Sequence, residues 1–491
     1  MILLIEIYDL SSIHCFIEKD FKLLKDYYIN NTIKFYQSLV SKRSSFVKKH
    51  AFLFDEISSF ISNLTNKSKK IIFFGCGNTI ILNQIISEEY FIKEIDKVFI
   101  KDVLKENKYL IEDESDLNKN LTNADQVLIA DIEHQKYVAS NLLEIKNRIN
   151  DDCRVIVISK SLLWKSLLNF IKKIFNFGPK ETNFLPFEHL KQIFSNSGFD
   201  IIRNEKIIFL PIKIPFVTKF INTIFRLPIL NFFCMLNVTI LKKANTFEKT
   251  YKKISIIIPC KNEEDNIKLF YKPISNFNFE AEFLFGDDNS SDQTLNKILE
   301  LKENLKNKDI KIYNGPGVCK SENVYEGIKN STGDIIAIYD ADLTVSFDDL
   351  EKSLNYLLKT NSDFINCSRM IIPQKKDAMK KANFLGNIFF SLLFSILFKY
   401  KITDTLCGTK IFYKKDWENI KKYNSKWGAK DLWGDFDLLI GAYKNNLKIS
   451  EVPVYYLERK EADTKMTNVL KNAMRMFYIV ISAFYKLRMK K

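Results

Sequence analysis

The chain has 491 residues, with 74 lysines and arginines against 59 aspartates and glutamates and a formal net charge of +15. Its length exceeds one ordinary core, and a hydrophobic content of 46% excludes a disordered chain and points to two or three packed units. The basic excess is spread along both halves with no compact basic-aromatic cluster, which excludes a nucleic-acid reader and suits an anionic membrane surface and phosphorylated substrates. The eight cysteines form no C-x-x-C pair, as expected of reduced thiols in cytosol. The opening Met1–Asp9 lacks a basic region and carries early acids, so no secretory signal is expected.

In chain order, the first strong element is Ile71-Ile72-Phe73-Phe74 running into Gly75-Cys76-Gly77-Asn78-Thr79, a strand that enters a glycine turn and then a helix. Glycines at that place let a backbone approach a nucleotide-like ligand. Further strands are expected at Val98–Ile100, followed by Lys101 and Asp102; at Gln126–Ala130, ending in Asp131; at Arg154–Ser159; and after Ser197-Gly198. Strands alternating with helical stretches predict a doubly wound sheet. Between Phe209 and Leu241 an apolar run is broken by Pro211, Pro215 and Pro228. It reads equally as a cover, an inter-domain contact or a membrane-touching surface. A lysine-rich stretch at 246–253 is the expected linker.

The second half repeats one device. Ile254–Ile258 stops at Pro259-Cys260-Lys261-Asn262-Glu263, and Phe283–Gly286 stops at Asp287-Asp288. Ile335–Tyr339 runs into Asp340-Ala341-Asp342. Alternation along a strand sends Asp340 and Asp342 the same way. Two oxygen donors at that spacing suit Mg²⁺ or Mn²⁺, which share ligands with phosphates. Ligands of open α/β sheets sit at the carboxyl ends of strands, so the three ends suit a nucleotide, with base and ribose at the first two and phosphates at the third. All four histidines, His14, His50, His134 and His189, lie in the first half, so no histidine base or ligand serves this site.

The segment Phe384–Phe398 is almost wholly apolar and then meets Lys399 and Lys401. A bilayer crossing needs about twenty residues, so an in-plane helix is expected. Met474–Tyr485, followed by Lys486, Arg488, Lys490 and Lys491, repeats the theme, and basic residues beside apolar helices attract anionic lipid.

Residues 250–470 resemble the family 2, GT-A-fold glycosyltransferases, and in particular the branch that works on dolichyl or undecaprenyl phosphate. The likeness rests on the three strand ends, Ser368-Arg369, Asp404-Thr405-Leu406-Cys407-Gly408-Thr409-Lys410, Trp433–Leu439, Glu451-Val452-Pro453-Val454 and the late Glu458-Arg459 and Thr464-Lys465. One departure is Ala462, where relatives place glycine. The resemblance implies transfer of a hexose, with inversion, from a nucleotide-diphosphate sugar to a polyprenyl phosphate. Pro259, Lys261, Asn262, Glu263, Asp287, Asp288 and Asp340 would bind the donor, and Asp340 and Asp342 the metal. Lys410, Arg459 and Lys465 would meet the acceptor phosphate. Arg369, Asp435 and Asp437 are the candidate catalytic residues, Asp435 or Asp437 as base if the acceptor is a glycan hydroxyl.

Residues 30–245 resemble a class I S-adenosylmethionine-dependent methyltransferase, which would place the cofactor on Gly75, Gly77, Asp102 and Asp131. The pattern departs at Phe73, where relatives have an acid, and at Thr79, where they have glycine. His134 is either a base or a surface residue. The expected architecture is therefore α/β with two doubly wound domains: 1–245 methyltransferase-like, active or vestigial; 254–470 a GT-A transferase with apolar membrane-associating helices; and 471–491 a basic amphipathic tail. The expected location is the cytoplasmic face of the inner membrane, peripherally held. A scaffold without turnover is the non-enzymatic alternative.

Overall fold

The computed structural model describes residues 51–65, 70–74, 89–93, 108–110, 114–130, 132, 138–164, 185–228, 230–244, 250–251, 253–372, 379, 381–457 and 469–489. The chain divides into two compact units, Met1–Lys243 and Ala244–Lys491.

The first unit contains α1 (Ala51–Thr65), β1 (Lys70–Phe74), β2 (Glu89–Lys93), β3 (Lys108–Leu110), α2 (Glu114–Thr122), β4 (Gln126–Ile129) and α3 (Val138–Arg148). It continues through β5 (Arg154–Lys160), α4 (Phe187–Asn196), β6 (Phe199–Ile207), α5 (Val217–Ile224) and β7 (Leu236–Lys243). The sheet order is β3-β2-β1-β4-β5-β7-β6. Strands β1 to β5 run parallel, and β7 is antiparallel to both neighbours. Both faces are covered, so strand residues are apolar in succession: Ile71 and Phe73 join the core that includes α1, Ile72 the core with Leu142 and Phe194. The strand beside β1 is Glu89–Lys93, not Val98–Ile100. Two short apolar runs eight residues apart look alike in sequence, and only pairing with β1 separates them. Asp102 therefore does not follow the end of β2; it lies outside the described residues, as do Gly75, Gly77, Asp131 and His134.

The second unit contains β8 (Ile254–Cys260), α6 (Glu264–Ile267), α7 (Tyr271–Ser275), β9 (Ala281–Asp287), α8 (Thr294–Asn304), β10 (Asp309–Asn314), α9 (Lys320–Asn330) and β11 (Ile335–Ile338). Then follow α10 (Phe347–Lys359), β12 (Phe364–Ser368), α11 (Lys381–Phe398), β13 (Lys410–Tyr413), α12 (Trp417–Lys421), α13 (Asp435–Lys444), β14 (Ile449–Pro453) and α14 (Val469–Phe484). The order is β10-β9-β8-β11-β13-β12-β14, with β13 alone antiparallel to its neighbours. This mixed sheet agrees with the α/β class expected for this half. One core holds Ile256, Ile258, Phe270 and Phe285, and the other Ile257, Leu284, Ile336 and Phe412.

The two apolar helices are partly core. Phe390, Phe394, Leu397 and Phe398 of α11 are buried, and so are Met476, Ile479, Val480 and Ala483 of α14. Their other faces expose Leu385, Phe389, Leu392, Met474, Phe477 and Ile481. Phe389 meets Phe477 with ring centroids 6.1 Å apart, which joins the two helices. The stretch read as a tail from 471 thus begins inside a helix that closes the domain core. Among the described residues no helix is long and apolar enough to cross a membrane.

Candidate functional site

The site grows at the carboxyl edge of the second sheet. Leaving β8, the chain turns at Asn262, whose φ of 53° is in the left-handed region that asparagine tolerates. Its Oδ1 accepts from Ser291 N at 2.8 Å, and its own N–H donates to Ser290 Oγ at 3.0 Å. Glu263 N donates to Thr294 Oγ1 at 2.7 Å. The loops after β8 and β9 are therefore knitted into one rigid wall. Asp288 is buried and accepts from Gly317 N at 2.7 Å, with Lys261 Nζ 3.6 Å away. Asp287 accepts from Ser290 N at 3.3 Å through Oδ2, while its Oδ1 is buried with no protein partner. A buried acceptor left open calls for a donor group from outside the chain.

Strand pairing of β11 ends at Ile338, so Asp340 and Asp342 stand in the turn beyond it. Burial still alternates, with Tyr339 and Ala341 inside and the two acids partly exposed, because Tyr339 N continues the ladder to Ile257 O at 2.9 Å. Asp342 accepts from Thr344 Oγ1 at 2.9 Å. Asp340 forms an ion pair with Lys320, the first residue of α9. Burial acts against both charges; the mutual attraction outweighs it, holding the Asp340 carboxyl below and the Lys320 ammonium well above their ordinary ranges. Asp435 adds to the field on Lys320, and Arg369 and Lys410 to that on Asp340. The donor set of Asp340 and Asp342 fits Mg²⁺ or Mn²⁺. Among the described residues no three His, Cys, Asp or Glu side chains gather into a metal-binding group.

Because β13 runs backwards, its first residue faces this edge. Lys410 is fully buried, and its Nζ lies 2.8 Å from Asp435 Oδ1. Gly408 packs directly on the Asp340 carboxylate, where a Cβ would collide with it. Asp435 opens α13 after Gly434, whose φ of 86° and contact with Ser321 require glycine. Asp431 supplies the cap: its Oδ2 accepts from Phe436 N at 2.8 Å and Asp437 N at 3.0 Å. Asp437 accepts from Ser425 N at 2.9 Å. Burial first, then the Asp431 charge, push the Asp437 carboxyl up to about 7.

Arg369, at the end of β12, grips the buried Asp404 with two parallel bonds, Nε to Oδ2 at 2.8 Å and Nη2 to Oδ1 at 3.0 Å. Asn387 of α11 donates to Asp404 Oδ1 at 2.7 Å, and Leu406 N at 2.9 Å. Burial alone would raise the Asp404 carboxyl; the guanidinium overcomes it and holds it at about 2. Glu451 ties the same turn through Thr403 N, at 2.8 Å to Oε2.

The structure brings Asp340, Arg369, Lys410 and Asp435 into one electrostatic cluster, sets Lys261, Asn262, Glu263, Asp287 and Asp288 along the loops after β8 and β9, and buries Asp437. Pro259 lies within β8. Arg459 and Lys465 lie outside the described residues. Lys320, Asn387 and Asp431 were not among the expected site residues, and Asp404, Gly408 and Glu451 entered only through the family resemblance. Asp431 had a readable signal, an acid just before a helix start; the partners of Lys320 and Asn387 are far along the chain and left none.

Residues 255–420, within the C-terminal unit, match the family Glycosyl transferase family 2. Several of its relatives are named for dolichyl phosphate. The chain is 27% identical over 258 residues to the UDP-N-acetylglucosamine–dolichyl-phosphate N-acetylglucosaminyltransferase of Methanococcus voltae, covering 49% of this chain and 96% of that protein. It is 26% identical to a dolichyl-phosphate beta-glucosyltransferase of Trichomonas vaginalis, covering 49% and 76%. Among solved structures it matches glucosyl-3-phosphoglycerate synthase from Mycobacterium tuberculosis, in complex with Mn²⁺, UDP-glucose and phosphoglyceric acid, at 14% identity, covering 48% and 80%, with a TM-score of 0.37.

Proposed function

We propose that the C-terminal unit transfers a hexose from a nucleotide-diphosphate sugar to a polyprenyl phosphate, with inversion, on the cytoplasmic face of the inner membrane. The carrying observation is the bond from Asn387 to Asp404 Oδ1, at 2.7 Å, which ties a helix exposing Leu385, Phe389 and Leu392 to the charged cluster. A lipid acceptor needs such an apolar approach to a polar site. The dolichyl-phosphate acceptors named for the relatives support the same reading. An acceptor phosphate oxygen attacks the anomeric carbon, the bond to the diphosphate oxygen breaks, and the electron pair leaves on the diphosphate. The acceptor is already an anion near neutral pH, so no base is required. Asp340 and Asp342 would hold Mg²⁺ or Mn²⁺, which when bound offsets charge on the departing diphosphate. Gly408 seats the Asp340 carboxylate, Lys320 pairs with it in competition with the metal, and Asp287 and Asp288 position the donor.

A second reading, transfer to a glycan hydroxyl, draws on Asp437, whose value of about 7 suits a general base. For the N-terminal unit we infer a methyltransferase-like fold that binds S-adenosylmethionine; the support is the sheet order with β7 reversed between β5 and β6. Calorimetric titration with S-adenosylmethionine tests it, and the absence of a saturable heat retires the cofactor.

The deciding experiment measures nucleoside-diphosphate release from a panel of nucleotide sugars, with Mg²⁺ or Mn²⁺, with and without undecaprenyl phosphate. Lipid-dependent release that Asp342→Asn abolishes is expected. Release only with a glycan acceptor favours the second reading, and silence throughout leaves the scaffold.

A further inference from the structure

The segment between β6 and β7 is built inside out. Its helix α5 buries Thr218 and Asn222, while Phe216 at its entry is 94% exposed and Phe220 65% exposed. Ile212, Ile214, Phe232 and Phe233 are exposed on the same excursion. A helix of a water-facing protein hides its apolar stripe and shows its polar one; this helix does the reverse.

The arrangement is rigid. The buried Asn222 accepts from Phe209 N at 3.0 Å and Leu210 N at 2.7 Å, and its amide donates to Glu56 Oε2 at 3.1 Å. Arg226 adds an ion pair to Glu56 at 3.0 Å. Thr218 Oγ1 accepts from Ile214 N at 2.8 Å, and Phe209 stacks on Phe225 with centroids 3.7 Å apart. Ile208 and Phe216 both have positive φ, 62° and 60°, a costly conformation for bulky side chains. The fold thus spends polar clamps and backbone strain on presenting aromatic rings outward.

Charge names the occupant. From Lys206 to Phe247 the sequence has no aspartate or glutamate, and Lys213 and Lys219 stand exposed among the rings. Lys206 Nζ lies 5.6 Å from the Phe232 ring centroid. Aromatic and branched side chains ringed by lysines fit the boundary between headgroups and acyl chains of an anionic bilayer.

We propose that the excursion from Phe209 to Phe233 is a membrane-docking wedge of the N-terminal unit, seated in anionic lipid by Phe216 and Phe220. It stands on different residues from the apolar helices of the C-terminal unit and does not rest on the sugar-transfer reading.

The test uses the full chain and vesicles of phosphatidylcholine alone or doped with phosphatidylglycerol. The paired change Phe216→Ser and Phe220→Ser should weaken sedimentation with the anionic vesicles by about tenfold or more, since each ring loses most of its apolar burial. In the variant Phe216→Trp, brominated lipid should quench fluorescence beyond the wild-type level. A second variant pair, Leu385→Ser with Met474→Ser, reads the C-terminal helices separately. Binding lost only in that pair, with no added quenching at 216, overturns the wedge while leaving the C-terminal reading intact. A concentration-dependent mass increase in light scattering, abolished by the Phe216 and Phe220 changes in the absence of lipid, also overturns it, because the occupant is then a second copy.

Discussion

Replacing Asp404 by Asn would test the charged cluster at its most constrained point. Asp404 is fully buried, takes two bonds from Arg369, and has its carboxyl held at about 2. Against 3.8 for an ordinary aspartate, the difference corresponds to about 2–3 kcal/mol of pH-dependent stability. Asp404→Asn removes that and also turns an NH₂ donor toward a guanidinium that has only donors, leaving a largely buried cation uncompensated. Breaking one side of such a pair costs about 3–5 kcal/mol, so a loss of about 3 kcal/mol is expected at pH 7. Urea unfolding followed by tryptophan fluorescence suits the measurement, since Trp417, Trp427 and Trp433 report on the C-terminal unit and only Trp164 on the other. The folded carboxyl titrates below the unfolded one, so the stabilisation is full above about pH 3.8 and fades as pH falls through about 2. The gap between wild type and variant should shrink accordingly, and adding Arg369→Met should recover part of it. A variant that unfolds with wild type at pH 7, or a gap indifferent to acid, would refute the reasoning.

Three further outcomes are expected. Gly408→Ala should keep the unfolding midpoint near wild type yet lower sugar transfer by tenfold or more, because the new Cβ displaces the Asp340 carboxylate; unchanged turnover contradicts that contact. Lys320→Ala should lower the Mn²⁺ concentration needed for half-maximal donor binding several-fold, since the ammonium no longer competes for Asp340, and an unchanged or higher requirement speaks against it. Asp437 titrates at about 7 when folded but near 3.8 when unfolded, so the folded state holds a proton between these values and loses relative stability as pH rises through them. Asp437→Asn should therefore gain on wild type from pH 5 to pH 8, and parallel stability profiles would count against the buried acid.

The transferase half was legible where local chemistry decides: an apolar run long enough for a buried strand, then an acid, marked the ends of β9 and β11, whereas β8 runs on through the Pro259 expected to stop it. It was not legible where partners meet across the fold. Lys320 and Asp340 are 20 residues apart, and Asn387 and Asp404 are 17 apart; nothing in a linear pattern announces either contact. Apolar helices were read with one role each, whereas α11 and α14 are core on one face and exposed on the other. In the first half, Tyr90-Phe91-Ile92 and Val98-Phe99-Ile100 compete for one place beside β1, and register rather than composition settles it. The excursion around Phe216 reads equally as cover, inter-domain contact or membrane surface, because hydrophobicity says what a side chain prefers, not where the backbone holds it.

The Arg369–Asp404 pair joins two residues 35 apart, and everything between them, α11 included, leaves and returns through that junction. The intervening chain is a tethered loop with a latched neck, so its internal length is nearly free to vary: each doubling adds only about 0.6 kcal/mol of closure entropy. Asn387 sits on the latch, which makes the neck sensitive to how α11 is seated. Lengthening or exchanging the outer turns of α11 should therefore retune what the domain rests on while the charged edge keeps its shape, whereas a tilt that withdraws Asn387 reaches Asp404 directly.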